Sequence, residues 1–207
     1  MANEHLSAEG RSQNKNIYMQ SKHLKEGRWA TSAVFYVTIH YRDEFSLGAH
    51  RQLFGHAAYH WGLLFSPKKA KGRTSYTYDV SDAADPHPVT RVDRNPERNW
   101  VYRPRDKVDP ALSTRLLGRV MIGKIPNNVS YSRIQAILNT VPLLRNGFQT
   151  ENCVSWTRDA IGKLQKEGLA ERFNIDNFMD DSLQWADERL NNHRGTSNVK
   201  NYTSCPM

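Results

Sequence analysis

The sequence predicts an α+β domain, with an antiparallel sheet from its first half packed against a Cys-bearing helix from its second. Three observations predict it. Residues 33–81 alternate with the period of two that strands require, and residues 130–191 carry apolar side chains at helical spacing. The third is composition: 207 residues, 38% hydrophobic and 10% aromatic, suit one domain with a sizeable core and exclude a wholly disordered chain.

In the first strand Ala33, Phe35, Val37, Ile39 and Tyr41 alternate with Val34, Tyr36 and Thr38, so it reads as apolar on both sides and central. A second strand runs from Ala58 to Phe65 and stops at Ser66-Pro67. A third, Thr74–Ser81, puts Tyr76, Tyr78 and Val80 on one face and Ser75, Thr77, Asp79 and Ser81 on the other. The short link predicts an antiparallel hairpin. Residues 83–110 hold five prolines and many charges and read as an irregular basic insertion. Leu116–Ile125 leans to strand. Ile134, Ile137, Leu138 and Val141 predict a helix capped by Ser130 or Ser132. A second helix, about 152–167, gathers Cys153, Trp156, Ala160, Ile161 and Leu164 on one face, with Gly168 as its stop. A last helix covers about 176–191. The domain thus spans 28–193, between a disordered arm at 1–27 and a flexible tail at 194–207.

The formal charge is +8, and residues 60–124 hold most of it, with 13 basic against 7 acidic side chains. Lys68, Lys69, Lys71 and Arg73 form one cluster; Arg94, Arg98, Arg103, Arg105 and Lys107 follow beside Trp100 and Tyr102. Such a field attracts polyanions, and arginine beside aromatic rings suits RNA. The expected partner is therefore an anionic carrier or nucleic acid. No apolar run approaches the roughly 20 residues of a membrane span. Two cysteines make neither a disulfide framework nor a zinc signature, and no secretory signal opens the chain, so a cytoplasmic location without metal or cofactor is expected.

Cys153 falls in the first turn of its helix, where free amides and the helix dipole favour thiolate. His60 occupies the polar side of its strand, opposite Tyr59, Trp61, Leu63 and Phe65. Gly62, two residues on, leaves room for a helix end or ligand to approach. An imidazole beside a thiol makes an activated nucleophile. Asp79, on the polar face of the next strand, is placed to orient the imidazole. First-turn amides would supply an oxyanion hole. Trp61, Thr77, Asn152 and Trp156 are the candidate substrate contacts.

Tyr59-His60-Trp61-Gly62-Leu63-Leu64-Phe65 and Glu151-Asn152-Cys153-Val154-Ser155-Trp156 together resemble the circularly permuted papain-like fold. Lecithin:retinol acyltransferase-like proteins and some desumoylating peptidases have it. There too the histidine strand precedes the cysteine helix. The insertion at 83–110 and the final helix have no clear place in that pattern. The resemblance implies a cysteine-nucleophile acyltransferase working through a covalent thioester. By a weaker analogy of size and basicity, the chain is similar to the small fungal arginine-containing cyclodipeptide synthases, which implies aminoacyl-tRNA as donor and a cyclic dipeptide as product. A thiol hydrolase, peptidase or amidase, on the same Cys-His site is the first alternative. A non-catalytic RNA-binding or scaffold protein is the second.

Overall fold

A computed structural model describes residues 33–143, 152–192 and 198–206 of the chain. The arm expected at 1–27 lies outside these residues. Six strands form one mixed sheet: β1 (Ala33–Tyr41), β2 (Tyr59–Pro67), β3 (Ser75–Ser81), β4 (Val101–Val108), β5 (Leu116–Ile125) and β6 (Val199–Asn201). Their spatial order is β4-β3-β2-β1-β5-β6. Every pairing is antiparallel except β5 with β6, which is parallel. Four α-helices accompany the sheet among the described residues: α1 (Gly48–Phe54), α2 (Tyr131–Leu138), α3 (Cys153–Lys166) and α4 (Ile175–Asn191).

The core lies on one face of the sheet. Phe35, Val37 and Ile39 of β1 stand opposite Phe65, Leu63 and Trp61 of β2, and all six are fully buried. Tyr78 and Val80 of β3 extend this layer, and Trp156, Ala160, Ile161 and Leu164 of α3 cover it. Each such large side chain is worth roughly 1.5–3 kcal/mol of transfer free energy. Arg51 of α1 clasps Asp187 of α4 through two hydrogen bonds of 2.7 and 2.6 Å, and Tyr59 donates to the same carboxylate at 2.7 Å. That knot fixes the start of β2.

The first strand is central, between β2 and β5, and its second face ends in Thr38 and His40. Two expectations are corrected. The insertion at 83–110 contains β4, which forms one edge of the sheet, where Pro104 costs no ladder bond. The rest of that insertion is organised around Asn95, which is 7% exposed, donates to Ala83 O and Asn99 O, and accepts from Asn99 N. The stretch 194–207 is not merely a tail, because β6 pairs with β5 and Ser204 donates twice to Glu171. Residues 48–54, which have no apolar stripe, form α1. No helix among the described residues is long and apolar enough to cross a membrane.

Candidate functional site

β2 and β3 pair only over Leu63–Phe65 and Tyr76–Tyr78. Ahead of Leu63 the laddered pairing is absent, and His60 and Asp79 lie in that stretch. Gly62 makes their approach possible. A Cβ there would sit 3.0 Å from Asp79 Cβ and 3.1 Å from Tyr78 O, so it is β3 itself that comes close.

His60 Nε2 lies 2.8 Å from Asp79 Oδ2. Arg103 of β4, directly across from Asp79, donates to both of its oxygens, from Nε at 3.0 Å and Nη2 at 2.7 Å. Cys153 lies near enough to the same imidazole to favour its protonated form. Burial alone would depress the His60 pKa, but the hydrogen bonds and charges of Asp79 and Cys153 overcome it and raise it to about 9. Burial likewise pushes Asp79 up, yet the hydrogen bonds and charges of His60 and Arg103 hold its carboxyl well below the usual range. Asp79 is thus ionised and His60 is an imidazolium at neutral pH.

His40 stands opposite His60 in the β1–β2 register, with ring centroids 5.9 Å apart. Its pairing with β5 slips between Ile39 and His40. Burial, reinforced by the His60 and Arg103 charges against the pull of Asp79, lowers its pKa to about 4. Two neighbouring histidines therefore hold opposite protonation states.

Cys153 opens α3. Asn152 caps the helix, its Oδ1 accepting from Val154 N at 2.8 Å and Ser155 N at 3.3 Å, and Ser155 Oγ accepts from Asn152 N. This capping box occupies two of the amides expected to form an oxyanion hole; the Cys153 N–H is the first-turn amide left open among the described residues. Cys153 is 1% exposed, and its Sγ lies 3.9 Å from Tyr59 O.

A cavity of about 560 Å³ opens against His60, on the polar positions of β1, β2 and β3. His40, His60, Thr77, Asp79 and Arg103 line it, and Cys153 does not. Of the candidate substrate contacts only Thr77 lines this cavity. Trp61 is a core residue, fully buried, with Nε1 donating to His56 O at 2.8 Å. Trp156 is 2% exposed and packs on Tyr102 with centroids 5.6 Å apart. Asn152 is the helix cap.

Among the expected RNA contacts, Lys68, Lys69, Lys71 and Arg73 are exposed on the β2–β3 turn, and Arg105 and Lys107 are exposed on β4. Arg94 pairs with Asp85 and Arg98 with Asp93. Arg103 is turned inward to Asp79 and is not a surface cation free for phosphate. Sequence reasoning missed that role, and missed His40, Arg42 and Trp100 in the cavity wall. The available signal for His40 was its place two residues after Thr38, on the face of β1 away from Ile39. Among the described residues no group of three or more His, Cys, Asp or Glu is arranged to hold a metal ion.

No curated protein and no solved structure matches this chain. One family model matches residues 33–206, spanning the whole sheet and all four helices, and by that match the chain belongs to a family of unknown function, DUF6914.

Proposed function

We propose that this protein is a Cys/His/Asp-dependent acyl-transferring enzyme, with the thiol arrangement of permuted papain-like proteins. The observation that carries the reading is the His60–Asp79–Arg103 relay, with Cys153 near enough to the imidazole to favour its protonated form. A histidine on a strand followed by a cysteine opening a later helix is the order that resemblance requires.

In the reactive form sulfur is thiolate and His60 imidazolium. Sγ attacks the acyl carbonyl, and the Cys153 N–H faces the developing oxyanion. The bond to the leaving group breaks, and its heteroatom takes the His60 proton. An acceptor then loses its proton to His60 as it displaces sulfur from the thioester. Water as acceptor gives hydrolysis; an amine or alcohol gives transfer. Asp79 holds the ring through Nε2, and Arg103 holds Asp79. The open cations Lys68, Lys69, Lys71, Arg73 and Lys107, gathered where the β2–β3 turn meets the end of β4, favour a polyanionic acyl donor, with aminoacyl-tRNA as one form.

The test is intact-mass detection of an acyl adduct after incubation with activated aryl esters and thioesters. We expect one adduct in the native chain and none in Cys153→Ala. His60→Gln should acylate about 10³-fold more slowly and Asp79→Asn about 10- to 100-fold more slowly. Product ratios with and without added amine separate transfer from hydrolysis. Unchanged turnover in Cys153→Ala would sink the reading.

A further inference from the structure

The charge of the cavity wall is not balanced. Four guanidiniums line it, from Arg42, Arg103, Arg105 and Arg115, against two carboxylates, Asp79 and Asp82. Arg103 is neutralised by Asp79, and Arg115 pairs with Asp43 outside the wall. Arg42 donates from Nη1 to Ala57 O at 2.8 Å and lies over the Phe45 ring, so it is held in place without a carboxylate. Arg105 has no ion-pair partner among the described residues and stands across from Thr77, which shares the cavity. His60 adds a further positive charge at the floor. The same wall carries apolar surface from Leu64, Trp100 and Leu112. At about 560 Å³ the space is that of a small organic molecule.

We propose that this cavity binds a small organic anion, a carboxylate or phosphate joined to an apolar body, with Arg105 as the principal charge contact. An uncompensated guanidinium at the mouth favours an anion by charge-assisted hydrogen bonds, and its fork matches either headgroup. The apolar side of the wall takes the body of the ligand. The site stands apart from the acyl-transfer reading, because Cys153 does not line the cavity.

Calorimetric titration of the full chain with 4-phenylbutyrate, phenyl phosphate and the neutral 4-phenylbutanamide tests this. At least one anion should bind, and about tenfold more tightly than the amide. Whichever anion binds better identifies the headgroup. Arg105→Ala should weaken that anion by about tenfold, and Arg105→Lys by less. Arg172→Ala, at an exposed arginine outside the cavity, should leave it unchanged. Equal binding of anion and amide, or equal anion binding by native chain and Arg105→Ala, overturns the proposal. Cys153→Ala should bind the anion as the native chain does. Anion binding without any Cys153 adduct would leave this site standing and remove the thiol reading; an adduct without anion binding would do the reverse.

Discussion

His40 and His60 are the residues at which pH should act on this protein. His40 is held neutral, with a folded pKa of about 4 against the ordinary histidine value of 6.5. Between those values the unfolded chain takes a proton that the native one refuses, so stability falls as pH drops through that window. His60 is the opposite case, with a folded pKa of about 9. Its contribution is fully present below 6.5 and is lost as pH rises through 9. Urea denaturation across pH should therefore give a stability maximum near neutrality, flanked by two limbs worth about 1–3 kcal/mol each. His40→Asn should flatten the acid limb and His60→Gln the alkaline one. An alkaline limb that survives in His60→Gln would show that other groups set it. His60 and Asp79 were legible in the sequence because both occupy polar positions on two strands joined by a short turn. Arg103 was not, because some twenty residues of excursion separate it from Asp79 and only the β3–β4 register joins them.

At the scale of elements, the spacing of β2 from β3 decides whether the relay exists. Gly62 faces Asp79 Cβ at 3.0 Å, Tyr78 O at 3.1 Å and Thr38 Oγ1 at 3.4 Å for an added Cβ. A backbone carbonyl cannot swing aside as a side chain can. Gly62→Ala should therefore push β3 outward and lengthen the His60–Asp79 contact. We expect acylation to slow about tenfold or more, with a stability loss of about 1–2 kcal/mol and a chain that remains folded. Acylation at the native rate, alongside that stability loss, would show that the relay tolerates a wider gap. Capped helices and alternating strands could be read directly: Ser130 accepts from Arg133 N, Asn152 caps α3, and Gly168 follows α3 at φ +70°. α1 could not, since Leu53 and Phe54 are exposed and give no apolar stripe. β6 is three residues long, too short to set a period, and takes its partner from the distant β5.

At the scale of the molecule, the +8 charge is divided between inner and outer uses. Arg103 serves the site and Arg105 the cavity mouth, while Lys68, Lys69, Lys71 and Arg73 remain outside. If a polyanionic donor docks on that outer group, binding to transfer RNA should weaken steeply with salt. The triple charge reversal Lys68→Glu, Lys69→Glu and Lys71→Glu should remove most of it and lower the slope of log K on log salt by about 2. Filter binding at several salt concentrations measures this, and salt-insensitive or absent binding in the native chain sets the polyanion aside. The cavity was not legible because four strands and the 110–116 segment assemble it, and no single stretch carries its pattern.

The thiol and the cavity both bear on one imidazole without sharing a wall, and this gives the sheet the character of a partition with one proton gate. Whatever occupies the cavity need not compete with a reagent at sulfur. An anion seated beside His60 would stabilise the imidazolium, and by reciprocity a protonated His60 would hold that anion more tightly. Occupancy of one compartment is thereby felt in the other through a single ring, with no movement of the strands between them.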